Sequence, residues 1–412
     1  MGTNTHAERN PTMTESPSPP RPLPTVRPHP FAPPEELARL RQENPISPLL
    51  YPDGTQGWLI TRHATAKAVL ADPRFSSRME LRNSATRRML SEEPEPAEPG
   101  LFIGMDPPQH THYRKLLTGQ FSTRRMNQLR SRVEQIVAAQ VDELERTGPP
   151  VDLVQNFTAP VPSLMISEIL GVPYKDRAVF QYNMAALLSL TVSTEEMLAA
   201  RHTLRDFVKT LVAAKRAEPT DDILGGLAGN ANLNDDELTG ICFLLLAAGF
   251  ESTAQMLGLG TFALLTHPDQ LATLRENPDL IDNAVEELLR YLTVVQFGLN
   301  RTALEDVDLN GTPIRAGQTI TISLTAANRD PNRFPSPDRL DITRAPGGHL
   351  SFGHGPHLCL GQQLARMEMR AGYQALLDRF PTLRLAVPPE EVPTDDAKQL
   401  YGVGQLLVTW DA

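Results

Sequence analysis

The sequence is poor in cysteine, in clustered positive charge and in long apolar runs, and each shortage excludes a class of protein. Its 412 residues include two cysteines, Cys242 and Cys359, too few for a disulfide framework or a four-cysteine metal site. The net charge is −10 and no long basic run could neutralise phosphates, which argues against nucleic acid as a partner. No apolar stretch has the length of a signal peptide or membrane span, so we expect a cytoplasmic protein with no membrane partner.

The chain begins with a segment, residues 1–30, that is rich in Pro, Ser and Thr and almost without apolar periodicity, which predicts a disordered tail. Beyond it, "PEELARLRQE" and "ATAKAVLAD" have helical spacing, while "GWLITR" is typical of a strand. Residues 111–292 are overwhelmingly helical in pattern, and short strand-like runs follow, with a hairpin turn at Asn310-Gly311. The pattern predicts a mainly α protein with small β sheets and no linker that divides it.

One long apolar helix is predicted from "NDDELTGICFLLLAAGFESTAQMLGLGTFALLTHPD". Asn234 and Glu237 resemble a capping box and His267 marks the end, which gives about 30 residues and a length of about 45 Å. Glu251 lies in its middle, where an ionisable group is costly unless it is paired, solvated or used in chemistry. Gly249 beside it indicates a close approach to the backbone. A helix crossing with a satisfied carboxylate explains these features as well as a functional site does.

The stretch "SFGHGPHLCLGQQLAR" places Cys359 between a glycine-rich turn and the start of a helix, where unsatisfied N–H groups favour a thiolate. From the residues alone, three interpretations remain open. His354, His357 and Cys359 could contribute to a zinc site that needs a fourth ligand from elsewhere. A Cys–His nucleophile pair is possible, although no orienting carboxylate is evident nearby. A structural thiol is the default for a lone cysteine.

The string "FGHGPHLCLG" resembles the haem-binding loop of the cytochrome P450 superfamily. The signature places of that loop are occupied here by Phe352, Gly355, Cys359 and Gly361. Similar segments occur elsewhere in the family's order: "AAGFEST" is similar to the oxygen-activation segment, and "MDPPQHTHYRKL" to the propionate-contacting segment of soluble bacterial members. The resemblance implies a single cytochrome P450 haem domain over residues 31–412.

Two further segments resemble the parts of the family that build a buried ion cluster. "EELLR" would supply Glu287 and Arg290, and "PNRFPSPDRL" would donate Arg339 to the same cluster. A buried carboxylate between two guanidinium groups leaves no charge unpaired and holds the surrounding core in register.

The resemblance implies that the cofactor is haem b and that its iron is bound by the thiolate of Cys359. A thiolate ligand releases electron density to the iron and favours cleavage of the O–O bond. Phe352 would pack beside the sulfur and exclude water, and Gly361 removes a side chain next to it. The cationic partners implied for the haem propionates are His110, Arg114, Arg301 and His357.

The resemblance also assigns Glu251 and Ser252 to oxygen activation, with one departure from the family. Most members have threonine after the acid, whereas here Ser252 follows Glu251 and Thr253 comes next. Serine keeps the hydroxyl donor but lacks the methyl that restricts its rotamers. Because Thr253 is turned about 100° further around the helix, we assign the oxygen contact to Ser252 and the proton supply to Glu251.

The implied reaction is a monooxygenation that consumes O2 and electrons from NAD(P)H. No flavin or nicotinamide domain follows the haem loop in this sequence, so a ferredoxin and a ferredoxin reductase are expected to deliver the electrons. Local positive charge can steer such a partner even when the whole chain is acidic. The expected docking cations, which surface salt bridging explains nearly as well, are Lys115, Arg124, Arg125 and Arg366.

The segments that match the family's pocket walls are mostly apolar, which indicates a sizeable hydrophobic substrate oriented by a few hydrogen bonds. Candidate contacts are Leu245, Ala248, Val294, Val295 and Val403, with Gln296 as a polar guide. By analogy with bacterial relatives, we expect hydroxylation or epoxidation of a secondary metabolite such as a polyketide, macrolide or terpenoid. Ring coupling, desaturation or a non-catalytic haem sensor are the alternatives.

Overall fold

The structure is a computed structural model that describes residues 19–84, 95–173, 177–189, 191–394 and 398–411. Its α-helices run from one end of this range to the other and confirm the mainly α fold that the sequence predicts. They are α1 Glu35–Glu43, α2 His63–Ala71, α3 Gln109–Thr118, α4 Thr123–Thr147, α5 Pro160–Leu170, α6 Arg177–Leu188, α7 Thr194–Ala217, α8 Ile223–Ala228, α9 Asp235–Thr266, α10 Pro268–Glu276, α11 Ile281–Leu292, α12 Leu324–Ala327 and α13 Gln362–Arg379.

The strands form small sheets at the margins of the helical body. They are β1 Ile46–Leu50, β2 Gln56–Ile60, β3 Phe75–Ser76, β4 Val151–Asp152, β5 Leu299–Ala303, β6 Val307–Leu309, β7 Thr312–Ile314, β8 Thr319–Ile322, β9 Arg384–Leu385 and β10 Leu407–Thr409. The largest sheet has the order β1-β2-β8-β5-β3, in which β2 and β8 are parallel. The predicted hairpin is confirmed between β6 and β7, because Asn310 and Gly311 both have positive φ, as a two-residue I′ turn requires.

Helix α9 is the long apolar helix that the sequence predicts, and its caps are the predicted ones. Asn234 and Glu237 form a complete capping box, and the helix ends at His267 after 32 residues, or about 48 Å. Among the described residues, α9 alone is long and apolar enough to cross a membrane by length and composition. However, 67% of its most apolar window is buried inside the protein, as in the central helix of a helical core.

Helices α5, α7, α11 and α13 pack around α9, and three of its glycines make this packing possible. A Cβ at Gly249 would lie 2.7 Å from Ile166 Cδ1 of α5. A Cβ at Gly260 would lie 2.0 Å from the Tyr373 hydroxyl of α13, and one at Gly258 would lie 3.0 Å from a Val403 methyl. The close approach predicted at Gly249 is therefore the packing of a neighbouring helix.

The predicted disordered tail falls partly outside the described residues, which begin at residue 19. Within the described part, Arg21 forms a β-bridge with Leu49. The guanidinium of Arg27 lies 3.8 Å from the centroid of the Tyr401 ring. Arg21 and Arg27 thus contact residues from later parts of the chain, and the polar composition of this segment did not predict these contacts.

Candidate functional site

The Cys359 loop follows a long irregular segment after α12, leads into the start of α13 and is shaped by two glycines. Gly353 and Gly355 both have φ of +73°, as their predicted role in the turn requires. A Cβ at Gly355 would lie 2.5 Å from the carbonyl oxygen of Leu70, so α2 packs directly against the loop. The backbone N–H of Cys359 donates to the Phe352 carbonyl at 2.9 Å, which closes the loop immediately before the helix.

The thiol of Cys359 is subject to opposing electrostatic influences. Burial raises its pKa above the ordinary value for cysteine. The backbone N–H groups of Gly361 and Gln362 and the charges of Arg114 and Arg366 act in the other direction. The helix start therefore favours the thiolate, as predicted, but burial outweighs it in the protein alone. A metal cation bound to the sulfur would reverse that balance.

The four cationic residues expected at the propionates do come together in space. The rings of His110 and His357 have centroids 4.0 Å apart, and the charges of Arg114 and Arg301 act on both histidines. His110 is 2% exposed, and neither of its ring nitrogens has a hydrogen-bond partner. A buried histidine with both nitrogens unpaired is rare, which indicates a site built for a ligand.

Electrostatics in this cluster are dominated by positive charge. Burial and the neighbouring cations lower the pKa of His357 to about 3, and burial followed by repulsion from Arg82 lowers the pKa of Arg301 to about 10. Within the part of the chain that the structure describes, Asp106 is the one carboxylate that acts on Arg301 and His110, and it already accepts hydrogen bonds from two serines.

Arg82 belongs to the same cluster and was missed from the sequence. Its pKa is lowered by burial, and its charge acts on both Arg301 and His357. Its neighbours fix the backbone there, since Thr302 Oγ1 donates to the Leu81 carbonyl at 2.9 Å. The sequence around this position is polar and rich in arginine, and nothing in it indicated that the guanidinium of Arg82 would be buried.

The buried ion cluster contains Glu287 and Arg290 as expected, but its third member is different. Arg290 Nε and Nη2 donate to the two carboxylate oxygens of Glu287 at 2.7 and 2.8 Å. Arg344 Nε donates to the same two oxygens at 3.1 and 3.2 Å. The prediction of Arg339 was wrong: its side chain is exposed, and it contributes its backbone carbonyl, which accepts from Arg290 at 3.3 Å.

A strip of accessible residues runs along α9 although most of the helix is buried. Leu244 and Ser252 are half-buried and Ala248 is exposed, at a spacing of four that places all three on one face. The strip is the part of this α9 segment that the neighbouring helices leave uncovered.

Glu251 lies beside the strip and is paired. Gln255 Nε2, one turn further along α9, donates to Glu251 Oε1 at 2.7 Å, and Lys398 Nζ contacts the same oxygen at 3.4 Å. Ser252 Oγ donates to the Ala248 carbonyl at 3.3 Å and stays half-buried, whereas Thr253 is only 4% exposed. Of the two hydroxyls, that of Ser252 is therefore the more accessible from the strip.

The candidate substrate contacts divide into two groups. Ala248, on the strip, is exposed, and Val295 and Gln296 are half-buried near the segment around Lys398, whose carbonyl accepts from Gln296. The other three are core residues, each less than 9% exposed: Leu245, Val294 and Val403. Val403 packs on Gly258 of α9, so its prediction as a pocket contact is corrected to a packing role.

Comparison with known proteins identifies the family. The Cytochrome P450 family model matches residues 177–406. Cytochrome P450 105C1 of a Streptomyces species is 48% identical over 94% of this chain and 97% of its own length. Pentalenic acid synthase of Streptomyces avermitilis is 40% identical over 97% of this chain and its full length. A crystal structure of CYP105P1 in complex with filipin I superposes with a TM-score of 0.89 at 39% identity, covering 95% of this chain and 99% of that one.

The chain belongs to the cytochrome P450 family. Members of this family bind haem, and the residues described above fit that group. Among the described residues, three guanidinium groups and one carboxylate act on the cluster around His110, and this excess of positive charge suits the anionic propionates of a haem. The zinc interpretation gains no support, because the described residues contain no group of three or more His, Cys, Asp or Glu suited to a metal ion.

Proposed function

We propose that this cytochrome P450 is a cytoplasmic monooxygenase that uses haem b and O2 to hydroxylate or epoxidise a sizeable hydrophobic small molecule. The observation that supports it most is the position of Cys359 at the start of α13, near a cluster of guanidiniums and the unpaired imidazole of His110. When bound, the haem supplies reductive activation of O2 and transfer of one oxygen atom to the substrate.

The residues of the chain act on two sides of that site, one formed by the Cys359 loop and the cationic cluster and the other by α9. Cys359 would hold the haem iron through its thiolate, and Phe352 would keep water from the sulfur. His110 and Arg301 would donate hydrogen bonds to the haem propionates, and burial would strengthen those bonds. Gly361 keeps the approach to the sulfur open where α13 begins.

On the α9 side, Ser252 serves as a hydroxyl donor and Glu251 as a proton source. Ser252 presents its hydroxyl on the accessible strip of α9, where it donates to the Ala248 carbonyl, and this hydroxyl would serve as the hydrogen-bond donor for oxygen activation. Glu251 has its carboxyl one residue away, and it contacts the half-buried Lys398. A general acid in this position needs a route to solvent, and we propose that the route passes Lys398.

Electrons are proposed to come from NAD(P)H through a ferredoxin reductase and a ferredoxin. Of the four expected docking cations, Lys115 and Arg124 are exposed. Arg125 is engaged by Asp221, and Arg366 is engaged by Glu286. Lys115 and Arg124 are therefore the better candidates for attracting an acidic partner.

The substrate is proposed to be a secondary metabolite, such as a polyketide, macrolide or terpenoid. Support comes from the apolar strip at Leu244 and Ala248, with Gln296 as the polar group nearby. The named relatives point the same way, since one is a pentalenic acid synthase and one structure contains filipin I.

The decisive experiment is the reduced carbonyl difference spectrum of the purified protein and two cysteine variants. Cys359→Ala should abolish the spectrum of a thiolate-bound haem, whereas Cys242→Ala, at the other cysteine, should retain it. Purified protein that is colourless, or that gives the spectrum of an imidazole-bound haem, would contradict the proposal. Compounds that shift the Soret band should then be converted to product with a surrogate ferredoxin system, with O2 consumption coupled to product.

A further inference from the structure

Arg366 lies one turn into α13 and is held in one position by three groups. Its guanidinium carbon is 4.5 Å from the centroid of the Phe352 ring, a cation–π arrangement. Its Nε and Nη2 donate to the carboxylate of Glu286 at 2.5 and 3.2 Å, and its Nη1 donates to Gln362 Oε1 at 3.0 Å. The Arg366 side chain is therefore fixed in place, unlike a mobile surface cation that is free to bind a redox partner.

Glu286 is itself held in place from its other side. His349 Nε2 lies 3.2 Å from Glu286 Oε2, and the His349 side chain is 4% exposed. Burial acts to raise the pKa of Glu286, but the hydrogen bonds from His349 and Arg366 outweigh it and lower the pKa to about 2. Glu286 is therefore a permanent negative charge at neutral pH, directly opposite the charge of Arg366.

The ion pair of Arg366 and Glu286 is linked to the cysteine loop by the contact between Arg366 and the Phe352 ring. The Phe352 carbonyl accepts the backbone N–H of Cys359, so the ring that Arg366 contacts belongs to the residue that closes the cysteine loop. The opposite charges of Arg366 and Glu286 thus lie beside the sulfur ligand, and neither is free to move away. A fixed charge near a redox centre stabilises the oxidation state of opposite sign.

We propose that Arg366, held over the Phe352 ring by Glu286, is a positioning residue that sets the reduction potential of the thiolate-bound haem rather than a docking cation for the redox partner. The inference rests on the proposed ligation of haem by Cys359. The positive charge of Arg366 stabilises the reduced, more negative state and raises the potential, while the charge of Glu286 opposes it.

The test is the midpoint potential of the haem-loaded protein in a matched set of charge variants. Arg366→Gln should lower the potential, and Glu286→Gln, which leaves Arg366 unopposed, should raise it. A tenfold change in the ratio of reduced to oxidised protein, or about 59 mV for one electron, is the expected upper size of each shift. Arg366→Lys should fall between Arg366→Gln and the unsubstituted protein. Arg370→Gln is the control, since Arg370 lies on the next turn of α13 and pairs with Asp282.

Each outcome distinguishes this proposal from the proposed function. If the unsubstituted protein lacks the thiolate-type carbonyl spectrum, the haem-thiolate proposal itself fails. If that spectrum is present but Arg366→Gln and Glu286→Gln match the Arg370→Gln control, or shift the potential in the same direction, the inference about Arg366 is overturned. A loss of ferredoxin affinity in Arg366→Gln at unchanged potential would overturn it as well, because Arg366 would then be a docking residue. Should Arg366→Gln fail to bind haem, the Glu286→Gln shift alone decides.

Discussion

The ion cluster offers the sharpest test of the structure, because Arg339 and Arg344 are close in sequence yet only one pairs with Glu287. Arg344→Ala removes the two hydrogen bonds to the Glu287 carboxylate, while those from Arg290 and the Asp341 N–H remain. Removing one partner of a buried ion pair costs about 3–5 kcal/mol when the remaining charge is left alone. Because Glu287 keeps Arg290, we expect a smaller loss of unfolding free energy, about 2–3 kcal/mol.

Urea unfolding followed by far-UV circular dichroism measures this loss. With an m-value of about 3 kcal/mol per M, the midpoint should fall by roughly 0.7–1 M. Arg339→Ala is the matched control and should change the unfolding free energy by less than about 0.5 kcal/mol, because that side chain is exposed. Glu287→Ala leaves Arg290 buried without its carboxylate, so it should cost about 3–5 kcal/mol and reduce haem content. Equal losses for the two arginine variants, or full haem content in Glu287→Ala, would refute this reasoning.

Three further predictions concern the haem site. Ser252→Ala should lower product formed per NADPH by about tenfold and release hydrogen peroxide instead, whereas Thr253→Ala should not; the reverse result would reassign the oxygen contact. Arg301→Gln should weaken haem binding by roughly 10- to 100-fold in a haem titration, and the exposed Arg315→Gln should leave it unchanged. The low pKa of Glu286 stabilises the protein above the ordinary value of 4.5, so the difference in unfolding free energy between the unsubstituted protein and Glu286→Gln should be constant above pH 5 and shrink towards pH 2. A difference that grows on acidification would contradict the pairing.

The sequence predicts those features that depend on local chemistry. The capping box at Asn234, the hairpin at Asn310-Gly311 and the positive φ of Gly353 and Gly355 each follow from a few adjacent residues, and the structure confirms them. The position of the Cys359 thiol at the start of α13 also follows from nearby residues, since the sequence after Cys359 predicts the start of a helix.

Features that depend on long-range packing are less accessible to sequence reasoning. Arg339 and Arg344 have equally polar neighbours in the sequence, and only the fold determines which guanidinium pairs with Glu287. Val403 is an apolar residue beside glycines, a description that suits a pocket wall and a core position equally well. Lys398 reaches Glu251 from the far end of the chain, so no spacing rule could have paired them.

The glycines of α9 have a practical bearing on attempts to broaden the range of compounds this enzyme accepts. At Gly249 and Gly258 an added methyl group would meet the side chains of Ile166 and Val403, which would have to shift, and at Gly260 it would overlap the Tyr373 hydroxyl, so larger side chains at these positions would disturb the packing of α9. Ala248 has room to grow. A mutant library with new substrate preferences should therefore vary Ala248 and Leu244 while leaving the three glycines untouched, because catalytic diversity here is limited first by how closely the helices meet.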